Sequence, residues 1–331
     1  MTAIVVIENV DINESIVVGK EILKMYGTNI YVQEGEIITI RDLLYGLLLR
    51  SGNDAAVVLA TYVGGTEEKF VEMMNEKAKL LGMENTKFQN PHGLDEMTEN
   101  YSTAYDMALL SSYAQKNNTY KTISQTKKHT TATNDKSYIW YNRNKLLSQY
   151  EFCTGGKNGY TPKAGKTLVT TAYKDDMELT AVTLNIPDMY NYHKNLYEQS
   201  FRDYKMYQII DKDKFKLSSN SSNTKLIVKK SFYYPLTTNE FDDIKTEINY
   251  YPEKQKNIIG YITIKLHNKK IGMLEIYETV QKKEDKNIFL KLKTYLFDIL
   301  KKFILGRQNN LKPGPLVPIP PDTYNFELSM T

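Results

Sequence analysis

Apolar positions in the first third of the chain come in short blocks separated by glycine. The stretch IRDLLYGLLLR (40–50) reads as a helix with Thr39 as its N-cap and Asp42 placed to favour the dipole. It stops at Ser51-Gly52-Asn53. A second helix runs from Asp54 to about Val63 and ends at Gly64-Gly65. Thr66 caps a third, EEKFVEMMNEKAKLL, which Gly82 closes. Residues 103–117 are again helical in pattern, and 29–39 (NIYVQEGEIIT) reads as a short hairpin turning at Glu34-Gly35. The stretch around Ser124, rich in Thr and Lys, shows no helical period.

The period then changes. KTLVTTAY and MELTAVTLNI, split by the polar turn Lys-Asp-Asp, predict an antiparallel hairpin, and a helix is expected around 194–210. The polar run 211–225 marks a boundary. Beyond it, GYITIKLHNKKIGMLEIYETV alternates and turns at His267–Lys270, which predicts a second, β-rich unit. In 287–306 one side collects Ile288, Leu292, Leu296, Ile299, Leu300 and Phe303, and the other Lys291, Asp298, Lys301 and Lys302. This suggests an amphipathic helix lying on an anionic membrane surface, with a core-packing helix as the alternative. A proline-rich, disordered tail is expected after it. The expected units are thus 1–210, 211–286, 287–306 and 307–331.

The opening run MTAIVVIENV has no basic lead-in and no small-residue cleavage pattern, so it does not read as a signal peptide. No segment has the roughly 18 uncharged apolar residues of a spanning helix. With 43 Lys and Arg against 39 Asp and Glu, the formal charge of +4 is too small to argue for a nucleic-acid partner. The four His residues are scattered, so no metal site is expected, and the single Cys153 cannot form an internal disulfide.

Two segments could carry chemistry. In RSGNDAA, a glycine between helices lets the chain turn tightly and can free Ser51 and Asn53 to face a cleft; alone, the tripeptide reads as a capping turn with Asn53 or Ser51 as N-cap. In CTGGKNGYTPKAGKTLV, Lys157 beside glycines can present a fixed cation to an anionic group, although a glycine-rich turn feeding a strand has the same pattern. It is not a P-loop, because the order is wrong and a strand follows it.

Taken in order, Ser51-Gly52-Asn53, NPHGL (90–94), STAYD (102–106) and Lys157-Asn158-Gly159 resemble the serine-type D-Ala-D-Ala carboxypeptidases, the low-molecular-weight penicillin-binding proteins. The resemblance implies an α+β, β-lactamase/transpeptidase-like domain (a helical cluster plus an antiparallel sheet) followed by a small β domain. It implies a serine acyl-enzyme at the terminal D-Ala-D-Ala bond of a peptidoglycan stem peptide, sensitivity to β-lactam antibiotics, no cofactor, and work on the extracytoplasmic face of the membrane. Ser51 would relay protons, Asn53 would bind the substrate amide, and Lys157 would hold its carboxylate. Asn158 and Gly159 would line the substrate, and the Tyr160 N–H would serve the oxyanion hole. Two departures stand out. Asn158 replaces the usual Thr. The Ser-x-x-Lys motif occurs only at Ser124–Lys127 and Ser222–Lys225, both after Ser51, whereas the family places it before. MTAIVVIENV matches the family's continuation of the nucleophile helix, so the nucleophile and its Lys would lie upstream of Met1. The chain as given is then expected to be inactive, with an unpaired sheet edge. A non-catalytic cell-wall peptide-binding protein and a β-lactamase-like hydrolase are the rival readings.

Overall fold

A computed structural model describes residues 1–217 and 224–280, together with Leu296. The opening run forms helix α1 (Thr2–Asn9), whose residues Thr2 through Val6 are buried while Glu8 and Asn9 face solvent. Strand β1 (Ser15–Val17) pairs antiparallel with β2 (Ile37–Thr39), Ile16 opposite Ile38.

The hairpin predicted over 29–39 therefore does not form. A turn is present, with Gly35 at φ +85°, but residues 30–32 take no partner strand. The reason is local: Asp54 accepts the backbone N–H groups of Ile30 (2.9 Å), Tyr31 (2.7 Å) and Val32 (3.3 Å). Amides committed to a carboxylate cannot enter a ladder.

Helix α2 (Ile40–Tyr45) begins where the capping pattern predicts, with Thr39 Oγ1 accepting from the Asp42 N–H at 3.0 Å. It widens into a π turn over Gly46–Arg50 and ends at Ser51. Helix α3 (Asn53–Gly64) follows, then α4 (Glu67–Leu80) with Thr66 as cap, and α5 (Ala104–Gln115). A helix also covers the stretch around Ser124. In α6 (Asn118–Gln125), Asn117 caps the N–H groups of Thr119 and Tyr120 while Ile123 and Ser124 are buried. Tertiary burial of one short face here outweighs a weak period.

Strands β3 (Lys128–Ala132) and β4 (Ser137–Tyr141) form a hairpin, and a single turn, α7 (Leu146–Gln149), leads to the central sheet. That sheet is antiparallel, in the order β5 (Cys153–Thr161), β6 (Gly165–Lys174), β7 (Met177–Leu184). Asp175 and Asp176 both have positive φ, which matches the twist of a two-residue hairpin turn. Helix α8 spans Met189–Asp203, so the helix expected at 194–210 starts earlier and stops sooner. Residues Lys205–Ile210 instead form β8, which pairs with β10 (Phe232–Leu236). The other sheet runs β11 (Ile244–Gln255), β12 (Ile258–Leu266), β13 (Lys269–Val280), β9 (Thr224–Ile227). Its β12–β13 turn falls at His267-Asn268, both with positive φ.

Three apolar clusters hold these elements. The first joins α1–α6 to Tyr138 and Trp140, the second packs Tyr197 and Phe201 of α8 on the β5–β7 sheet, and the third lies wholly within 209–276. Among the described residues no helix is long and apolar enough to cross a membrane. The proposed membrane-surface helix 287–306 and the tail 307–331 lie outside the described residues, Leu296 excepted.

Candidate active site

The site forms where the end of the π turn meets β5. Ser51 is a non-glycine residue at φ +63°, ψ +44°, the left-handed region, which turns the chain sharply between two helices. Its N–H is held by Leu47 O at 3.1 Å. This turn presents the Ser51 hydroxyl to the Lys157 ammonium, which donates to Ser51 Oγ and also to its neighbour's carbonyl, Asn158 O. Asn53, on the first turn of α3, is buried. Its Nδ2 donates to Tyr26 O at 2.8 Å and its N–H to Thr28 O at 2.8 Å, while Oδ1 takes no hydrogen bond from any described residue.

Lys157 sits mid-strand in β5, opposite Val169 of β6. Two glycines before it allow the close approach. Gly156 has φ +136°, and a Cβ there would meet Val169 O at 2.2 Å. Asn144 Nδ2 and Gln115 Nε2 donate to Gly155 O and Thr154 O, each at 3.4 Å, and fix the root of the strand. Among the described residues β5 pairs only with β6, so its other edge borders Ser51 and is open to an extended peptide. Asn158, Gly159 and Tyr160 continue along that strand, opposite Leu168, Thr167 and Lys166, and Tyr160 is exposed. The structure thus brings Ser51 and Lys157 together across 106 residues, with Asn53 one turn away and Asn158–Tyr160 on the same strand.

Burial, then repulsion from Arg143, lowers the Lys157 pKa to about 8. Arg143 was not flagged by sequence. Its N–H is held by Leu49 O at 3.1 Å and its Nη1 donates to Thr28 Oγ1 at 3.2 Å. Burial, with Arg50 nearby, holds its pKa below the usual guanidinium range. It has no carboxylate partner among the described residues. The cleft therefore offers an uncompensated positive field, suited to an anionic group. The surrounding signal was faint: one Arg in the polar run Asn142-Arg143-Asn144.

The other motifs build the frame. In NPHGL, buried Asn90 binds Gly93 N and Leu94 O, and Thr2 Oγ1 of α1 donates to Pro91 O at 2.6 Å. His92 is held neutral, its pKa lowered to about 4 by burial. In STAYD, Thr103 caps α5 and buried Asp106 accepts from Asn85 N and Thr86 Oγ1. Ser124 is fully buried and donates to Lys121 O, while Lys127 is exposed, so this Ser-x-x-Lys match places no Lys at its Ser. Ser222 lies outside the described residues.

This cleft of Ser, Asn and Lys between a helical cluster and an antiparallel sheet defines a penicillin-binding type of transpeptidase fold. The family model of D-alanyl-D-alanine carboxypeptidases matches residues 1–188, and the chain belongs to that family. It is 31% identical over 253 residues to the D-alanyl-D-alanine carboxypeptidase DacF of Bacillus subtilis, covering 75% of this chain and 64% of the relative. It is 36% identical over 167 residues to DacC of Escherichia coli, covering 46% and 38%. The chain thus spans less than two thirds of the length of these relatives. A D-alanyl-D-alanine carboxypeptidase structure from Mycobacterium tuberculosis is 30% identical with a TM-score of 0.58, over 61% of this chain and 78% of that one. Penicillin-binding protein 5 of Haemophilus influenzae, 24% identical, matches in fold with a TM-score of 0.69 over 84% of this chain and 87% of its own.

Proposed function

We propose that the cleft binds peptidoglycan stem peptides ending in D-Ala-D-Ala, and β-lactams that mimic them, as part of a serine-type carboxypeptidase. The observation that carries this reading is the Ser51–Lys157 hydrogen bond at the open edge of β5. The peptide would lie as an added strand along Lys157–Tyr160. Its terminal carboxylate would take the Lys157 charge, and its amide would meet Asn53 Oδ1. The Tyr160 N–H would serve a developing oxyanion, and Ser51, in contact with Lys157, would pass a proton to the leaving amine. Such an enzyme works where peptidoglycan is, on the extracytoplasmic face of the membrane.

With Ser51 assigned to proton relay and Lys157 to the substrate carboxylate, acylation needs a further serine with its own base beside it. Ser124, the described match to Ser-x-x-Lys, is buried and away from Lys127. The 331-residue chain by itself is therefore read as supplying binding and proton relay without forming an acyl-enzyme. The test is titration with an N-acylated peptide ending in D-Ala-D-Ala, alongside fluorescent penicillin and a D-Ala release assay. Saturable binding weakened by Asn53→Ala, with no covalent label, is expected. Absence of binding would sink the cleft assignment, and a rapid covalent label would sink the claim about acylation.

A further inference from the structure

A second recess opens behind β5, at the end of the strand away from Lys157. It has a volume of about 740 Å³, within the range of small-molecule sites. Leu147, Tyr150 and Cys153 give it an apolar wall. Four charged side chains line it: Lys127 before β3, Glu151 after α7, and Lys194 and Glu198 one turn apart on α8. None of the four makes an ion pair with any described residue, although two of each sign share one recess. The balance of charge matters. A site of one sign would select an anion or a cation, whereas two ammonium and two carboxylate groups suit a ligand bearing both.

The Tyr150 hydroxyl supplies the second observation. Tyr150 is 5% exposed, and its buried hydroxyl makes no well-formed hydrogen bond among the described residues, the Glu198 carboxylate being the one acceptor near it. The ring cannot swing to find one, being stacked on Tyr197 at 5.8 Å and edge-on to Phe152 at 5.5 Å. Burial, then the charge and acceptor oxygens of nearby Glu198, raise its pKa, so it remains an O–H donor at neutral pH. An unpaired buried hydroxyl costs free energy that a ligand acceptor would recover. Cys153 is no nucleophile here, its thiol pushed up to about 11, chiefly by burial.

We propose that this recess binds a short zwitterionic peptide, its carboxylate taken by Lys127 or Lys194 with the Tyr150 hydroxyl, and its ammonium by Glu151 or Glu198. The site is separate from the cleft: Cys153 and Lys157 are four residues apart on one strand, about 13 Å. It stands whether or not the cleft binds stem peptides.

All-L trialanine is a suitable probe, since it lacks the D-Ala-D-Ala end. It would be titrated into the full chain and followed by backbone amide shifts, next to its N-acetyl and C-amide forms. Saturable shifts around Gln149–Cys153 and Lys194–Glu198 are expected, with each capped form binding about tenfold more weakly. The discriminating variant is Tyr150→Phe, which deletes an unpaired hydroxyl. It should leave the melting temperature unchanged or raised while weakening trialanine about tenfold. Lys157→Met should leave this binding intact. Equal binding of capped and free peptide, shifts confined to the cleft, no saturation, or a Tyr150→Phe variant that binds normally would each overturn the proposal.

Discussion

Lys157 is the residue on which the cleft's electrostatics turn. In the proposed reading it must be a cation to hold a substrate carboxylate, and burial beside Arg143 has brought its pKa to about 8. The sign follows directly. Below that pH the ammonium is present; as pH rises through about 8 it deprotonates and carboxylate binding should fall. Titrating an N-acylated D-Ala-D-Ala peptide from pH 6 to 10 checks this. Lys157→Arg, which keeps its charge throughout, should flatten the profile, and Lys157→Met should weaken binding about tenfold or more even at pH 6. A flat profile in the unsubstituted protein would show that Arg143 alone does the work. Asp54 acts one step further back. Its carboxylate collects three backbone N–H groups of the 30–32 segment and so holds the chain that passes beside Asn53. Asp54→Ala should strand those amides and cost about 2–4 kcal/mol in urea unfolding, with Asp54→Asn milder because one acceptor oxygen remains.

Strand β5 does two jobs: it pairs with β6 on one side and borders the cleft on the other. The glycines at 155 and 156 make this possible, with φ of +155° and +136°. In Gly156→Ala the new Cβ would meet backbone atoms of Val169 and Thr170, which a side-chain rotation cannot relieve. The strand must move off β6, and Lys157 with it. A stability loss of about 2–4 kcal/mol is expected, together with lost peptide binding, read by thermal melting and titration. The same strand shows what the sequence could and could not disclose. The helices and the β5–β7 hairpin region were legible because helix caps at Thr39 and Thr66, and the β-rich runs 166–173 and 177–186, are local signals that tertiary packing reinforced. The failures came from distant partners. The 29–39 hairpin was pre-empted by Asp54, α6 formed because Ile123 and Ser124 found a core, and Arg143 lies beside Lys157 through a meeting that no short window records. The contact between Ser51 and Lys157 is of the same kind, since spacing alone left each as a turn residue.

At the scale of the molecule, the apolar clusters decide what can fail separately. The cluster within 209–276 shares no residue with the two that support the cleft, and it includes the fully buried Ile264 of β12. Truncating Ile264 to Ala leaves a cavity in that cluster, at a cost of about 2–5 kcal/mol. Because that cost falls on one cluster, calorimetry of Ile264→Ala should show part of the unfolding heat moving to lower temperature while the rest stays in place. Binding of the D-Ala-D-Ala peptide, measured between the two transitions, should be unchanged, since Ser51, Asn53 and Lys157 hang from α2, α3 and β5. If the protein instead melts in one shifted transition and binding is lost with it, the β-rich unit is a structural support for the cleft, and the contacts that transmit it must run through α8 into β8, where the two parts of the chain are continuous.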